Sequence, residues 1–132
     1  MKRRFFLATA TAMAIVPVVA HATDYVPYAP GVIESALADG KTVFVDYSAT
    51  WCGTCKRQER VIEALRTADP RYDSAMTFVK VDWDTYGTHE VTQSRGIPRR
   101  STLIVLRGDE ELGRIVAETG ESEIKALLET GL

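Results

Sequence analysis

An apolar run that passes within a few residues into a cysteine pair, V-F-V-D-Y-S-A-T-W-C-G-T-C-K-R over residues 43–57, limits what this chain can fold into more than any other stretch. Val43, Phe44 and Val45 read as a buried strand, residues 48–51 as a short turn, and Cys52 and Cys55 stand where a helix begins. Continuous apolarity over residues 42–47 marks a central parallel strand covered on both faces, with Asp46 as its charged interruption. A βαβ unit demands a right-handed crossover, so the helix opened by the cysteines packs across a sheet.

The flanking sequence supplies the remaining elements. Val32, Ile33, Ala36 and Leu37 share one helical face and predict a first helix over 31–39, closed by Gly40. The cysteine helix continues through Val61, Ile62 and Leu65 and stops before Pro70. Residues 76–81 read as a second strand, 82–87 as a loop and 88–95 as a short helix ending at Gly96. Strands over 101–106 and 112–118 flank a hairpin turn at 107–110, and Ile124, Leu127 and Leu128 mark a terminal helix. With two prolines, residues 24–30 read as an extended lead-in. The order α-β-α-β-α-β-β-α gives an α/β domain, a central mixed β-sheet flanked by helices on both faces.

A chain of 132 residues has room for one domain with its own core, not two. Its net charge of −2 gives no footprint of a general nucleic-acid binder. Lys2, Arg3 and Arg4, an apolar stretch over 5–20 and the sequence Ala20-His21-Ala22 have the layout of an export signal cleaved after residue 22. Its removal would leave 13 basic against 18 acidic residues. Arg3-Arg4-Phe5-Phe6-Leu7 resembles the twin-arginine pattern R-R-x-F-L, an ordinary secretory n-region being the alternative. Left uncleaved, the segment would act as a membrane anchor. The domain plan is a signal over 1–22, a lead-in over 23–30 and the folded domain over 31–132, with a periplasmic location.

Three chemistries can use a C-x-x-C pair. A structural disulfide closing so short a ring contributes only about 2 kcal/mol, and a domain of this size does not require it. A zinc site needs more ligands, and beyond residue 22 the chain offers one histidine, His89, and no third cysteine. A redox pair fits the local physics. At a helix N-terminus, unpaired backbone N–H groups and the macrodipole favour negative charge, so Cys52 is held partly as the thiolate that attacks a disulfide. Cys55, one turn on, is placed to resolve the resulting mixed disulfide.

W-C-G-T-C-K resembles the W-C-x-x-C-K active site of the thioredoxin family, and V-D-Y-S-A-T-W-C resembles that family's V-D-F-W-A-x-W-C. Lys80 in F-V-K-V-D and the segment Gly96-Ile97-Pro98 match further family motifs, so the resemblance spans roughly residues 32–132. It implies a thioredoxin fold and a role for each matched residue. Asp46 would be the buried acid, its affinity for a proton raised by desolvation, that accepts the Cys55 proton through a water. Lys80 would modulate Asp46, and Trp51 would shield the site and meet substrate. Pro98 would be cis and pack on the disulfide, while the backbone of Ile97 pairs with an extended substrate segment.

Three departures qualify these implications. Gly53 and Thr54 stand between the cysteines where cytosolic thioredoxins carry Gly-Pro, a dipeptide that influences redox poise. Thioredoxins usually run from the proline straight into Thr-Leu, whereas this chain inserts two charged residues, Arg99 and Arg100, either of which could stabilise the Cys52 thiolate or bind an acidic partner. Residues 24–30 are a poor match for the family's leading strand. In this respect, and in its export signal, the chain is similar to periplasmic thioredoxin-like domains, including the C-terminal domain of the transmembrane thiol-disulfide interchange protein. The resemblance implies an exported thiol-disulfide oxidoreductase that reduces protein disulfides, acts as a monomer with no bound cofactor, metal or nucleic acid, and draws electrons from a membrane donor of the interchange type. The alternatives are a disulfide oxidase or isomerase of the same fold and a non-catalytic peptide- or metal-binding module.

Overall fold

All seven residues of Thr42–Ser48 (β2) are buried, and the sheet is built outward from them. The computed structural model describes residues 11–15 and 24–132. The export-signal reading of residues 1–22 lies mostly outside the described residues. Around β2 the chain forms Val26–Pro27 (β1), Val32–Ala38 (α1), Gly53–Ala68 (α2), Arg71–Ala75 (α3) and Met76–Asp82 (β3). Trp83–Tyr86 (α4), Glu90–Gln93 (α5), Thr102–Arg107 (β4), Glu110–Val116 (β5) and Glu121–Glu129 (α6) follow.

The sheet order is β1-β3-β2-β4-β5. β1 and β2 run parallel to β3, whereas β4 is antiparallel to β2 and β5 to β4. The expected mixed sheet with helices on both faces is therefore what forms. Side chains alternate across it with the strand period of two. Val43, Val45 and Tyr47 of β2 join Val79, Val81, Ile104 and Leu106 on one face, against Ile33 and Ala36 of α1 and Val91 of α5. Phe44 points the other way, with Phe78, Leu103 and Val105, against Ile62 and Leu65 of α2 and Ile124, Leu127 and Leu128 of α6. Each such buried side chain contributes about 1.5–3 kcal/mol relative to exposure. Asp46 has the parity of Phe44, which sends its carboxyl to the face that α2 covers.

The lead-in differs from expectation, since Val26 and Pro27 form an edge strand paired in register with Val79 and Lys80. Proline is compatible with an edge because only one side of the strand is paired. The chain continues that pairing just beyond the strand, where the Tyr28 N–H donates to the Lys80 carbonyl at 2.9 Å. Residues 82–87, expected as a loop, contain α4, whose first turn is capped by the Asp82 carboxylate accepting from the Thr85 N–H at 3.2 Å. The helix expected over 88–95 is shorter, and α3 was not anticipated; it buries Tyr72 to 1% exposure.

Candidate active site

Both cysteines sit where β2 hands over to α2. Cys52 is the N-cap residue of α2, and its Sγ accepts from the Cys55 N–H at 3.1 Å, taking the place usually filled by a serine or aspartate oxygen. Sγ of Cys52 thus faces the N-terminal end of a 16-residue helix, where backbone dipoles favour negative charge. A disulfide joins the pair, with Cα atoms 5.3 Å apart. The two are only 2% and 1% exposed and pack with Ala49, while Trp83 lies partly buried against them.

Asp46 lies on β2, six residues before Cys52, on the face under α2, and is 1% exposed. Among the described residues neither of its carboxylate oxygens has a hydrogen-bond partner. Its pKa is pushed up to about 7, first by loss of solvent, with Lys80 opposing and Glu59 adding to the rise. Lys80 is the register partner of Asp46 across β2 and β3, yet its ammonium donates to Glu59 Oε1 at 2.9 Å and lies 4.3 Å from the centre of the Tyr25 ring. Asp46 is therefore not held in a hydrogen-bonded ion pair with Lys80. Glu59, one position past Gln58 on α2, completes this carboxylate–lysine–carboxylate arrangement and was not singled out by the sequence.

The position beside the disulfide is filled by Ser101 and not by proline. Ser101 is fully buried, and its Oγ stands 3.0 Å from Cys55 Sγ and 3.3 Å from Cys52 Sγ. Pro98 corrects the expectation: it is exposed, and no cis peptide bond occurs among the described residues. Ile97 is buried in the core on the α1 side of the sheet and donates its N–H to the Thr92 carbonyl at 3.1 Å. The physical reason is loop length. β4 begins at Thr102, paired with Tyr47, so Ser101 is the residue immediately before the strand and Gly96-Ile97-Pro98 is carried further back. Counting backward from Thr102-Leu103 would have found it.

Ser101 is also held in an uncommon backbone conformation. Its φ of 63° lies in the left-handed region, which costs a non-glycine residue about 1–2 kcal/mol. Three hydrogen bonds fix it there: its N–H donates to the Tyr47 carbonyl at 2.7 Å, and its carbonyl accepts from the Ala117 N–H at 2.9 Å and from Gln58 Nε2 at 3.0 Å. Gln58, fully buried on α2, also donates to the Glu118 carbonyl at 2.9 Å.

Trp51 is 56% exposed and forms the outer wall. Its indole N–H faces both carboxylate oxygens of Asp84, each at 3.0 Å, and the Arg100 guanidinium lies 4.4 Å from the ring centre. Arg100, rather than Arg99, is thus the cation over Trp51, and Arg99 turns its Nε–H to the Arg100 carbonyl at 3.1 Å. Gly53 opens α2 with free space where a side chain would be, and Thr54 Oγ1 accepts from Arg57 at 3.4 Å. No group of three or more His, Cys, Asp or Glu side chains among the described residues converges as a metal site would require.

The Thioredoxin family profile matches residues 29–130. Thioredoxin-1 of Saccharomyces cerevisiae is 35% identical over 83 residues, covering 63% of this chain and 75% of its own. Thioredoxin-2 of the same yeast is 40% identical over 84 residues with the same coverage. Among solved structures, Trxlp from Edwardsiella tarda superposes with a TM-score of 0.66 at 35% identity, over 76% of this chain and 95% of that one. Thioredoxin from Schistosoma mansoni gives 0.65 at 25%, over 86% and 100%. A match of that length, laid over a sheet and a cysteine pair already described, makes this chain a member of the thioredoxin family and a thiol-disulfide oxidoreductase whose C-x-x-C pair is Cys52 and Cys55.

Proposed function

We propose that this chain is exported and reduces protein disulfides, with Cys52 as nucleophile, Cys55 as resolving thiol and Asp46 as proton acceptor. The observation that carries the assignment is the cap: Cys52 Sγ accepts an N–H at the start of α2, an environment that favours thiolate over thiol. The Cys52 thiolate attacks one sulfur of the substrate disulfide and expels the other. Cys55 then gives its proton to Asp46 through a bridging water and attacks Cys52 Sγ, releasing the second substrate thiol. Trp51 borders the approach, and Lys80 and Glu59 set the charge around Asp46. In an oxidising compartment the reductant must be renewed, so a membrane protein passing electrons from the cytoplasm is the partner this reading requires.

Turnover on insulin disulfides with dithiothreitol as donor tests the chemistry. Cys52→Ser abolishes it, and Cys55→Ser accumulates a Cys52-linked adduct visible by intact mass; an adduct on Cys55 in the Cys52→Ser protein instead reverses the assignment. Direction is decided by the reduction potential of the pair: a value near −270 mV, roughly that of thioredoxin, supports a reductase, while one near about −120 mV makes the chain an oxidant. Export is tested by expressing the full chain in a Gram-negative host. Periplasmic protein beginning at Thr23 supports the reading, and unprocessed cytoplasmic protein overturns it.

A further inference from the structure

We propose that Ser101 is a catalytic residue whose hydroxyl donates to whichever cysteine sulfur carries negative charge during the redox cycle. The inference goes beyond the cysteine pair and does not depend on the direction in which electrons flow.

The geometry gives the hydroxyl two partners, Cys55 Sγ at 3.0 Å and Cys52 Sγ at 3.3 Å. Disulfide sulfurs carry no hydrogen, so in the oxidised protein the O–H is the donor. The residue is fully buried and its backbone conformation is unfavourable for serine, yet bonds from β2, from α2 and from Ala117, just past β5, hold it in place. Strain of this kind persists only where surrounding structure enforces it, and here it delivers a single protic group between two reacting atoms.

Reduction of a substrate disulfide moves charge between those atoms. In the first step the Cys52–substrate S–S bond forms, the substrate S–S bond breaks, and the departing substrate thiolate takes a proton from water. In the second, Cys55 loses its proton to the base, the Cys52–Cys55 bond forms, and the Cys52–substrate bond breaks with release of the second thiolate. Two electrons leave the dithiol and enter the substrate. Negative charge resides first on Cys52 and then on Cys55, and by rotation about its C–O bond one hydroxyl serves both. A donor to a charged acceptor contributes more than a donor to a neutral one, so the reduced form gains most.

Ser101→Ala removes the hydroxyl, and Ser101→Gly removes it while suiting the positive φ, so the second variant retains a folded protein even if the first does not. In the reduced variants the pH midpoint for alkylation of Cys52 by iodoacetamide rises by about one to two units. The equilibrium with glutathione moves about tenfold or more toward the protein disulfide, each tenfold being about 30 mV more negative. A midpoint within about half a pH unit of the parent and an equilibrium within about threefold of it, in both variants, would overturn the proposal and leave Ser101 as filler. Alkylation is read with no substrate disulfide present. A parent protein that proves to be an oxidant therefore removes the reductase reading and leaves this result standing.

Discussion

Asp46 is the buried carboxyl through which pH acts on the stability of this domain. Its folded-state pKa is raised to about 7 by burial, while an unfolded aspartate titrates near 3.9. Between about pH 4 and 7 the native state therefore binds more protons than the unfolded state, and unfolding free energy falls as pH rises through that window. Three units correspond to about 4 kcal/mol, fully expressed above pH 7. Asp46→Asn is expected to raise the urea midpoint of the oxidised protein at pH 8, with the gap narrowing toward pH 4; two parallel pH profiles would refute the assignment. The same variant should slow resolution of the mixed disulfide at pH 8, read by stopped-flow. At Arg100 the expectation concerns substrate: Arg100→Glu should slow reduction of disulfide peptides with acidic flanks severalfold, about 1 kcal/mol, with neutral peptides little affected. Asp46 was legible because an acid inside an apolar strand is conspicuous. Ser101 was passed over because Gly96-Ile97-Pro98 offered a stronger local match than a count back from Thr102-Leu103, the count that the pairing of Thr102 with Tyr47 supports.

At the scale of the element, α2 does more than present a sulfur. Gln58 ties its inner face to the carbonyls of Ser101 and Glu118, on two other segments of the chain. Gln58→Ala leaves both carbonyls without that donor and is predicted to cost about 2–4 kcal/mol, measured by urea unfolding, while also loosening the clamp on Ser101. A loss below about 0.5 kcal/mol would mean that water replaces the amide without penalty. The ends of α2 could be read directly, from the cysteines at its start and Pro70 beyond its close. α3 and α4 could not, since four or five residues are too few for a 3.6-residue period to register, and the start of α4 rests on the Asp82 cap. β1 escaped for the opposite reason: two residues with a proline read as lead-in until a sheet edge receives them.

Taken whole, the molecule places its chemistry at one end of β2 and closes the far edge of its sheet with β1. Arg66, 4% exposed, is packed between Phe78, 3.8 Å from its ring centre, and Tyr25, at 5.3 Å, and donates to the Asp24 carbonyl at 3.0 Å. Removing residues 24–27 strips that cover, and is expected to lower Tm by roughly 10 °C by circular dichroism, the response to a loss of about 2 kcal/mol. An unchanged Tm would mean that the edge strand is dispensable. Fold class and cysteine pair were readable because strand parity and the handover into α2 are local; the sheet edge and Ser101 depend on distant partners. The chain holds two tryptophans, Trp51 on the outer wall of the site and Trp83 against the cysteine cluster. All of its indole emission therefore arises beside a sulfur–sulfur bond, a quencher of neighbouring excited states. The protein is therefore expected to be its own optical gauge of electron content, brightening as the bond opens, with no label attached.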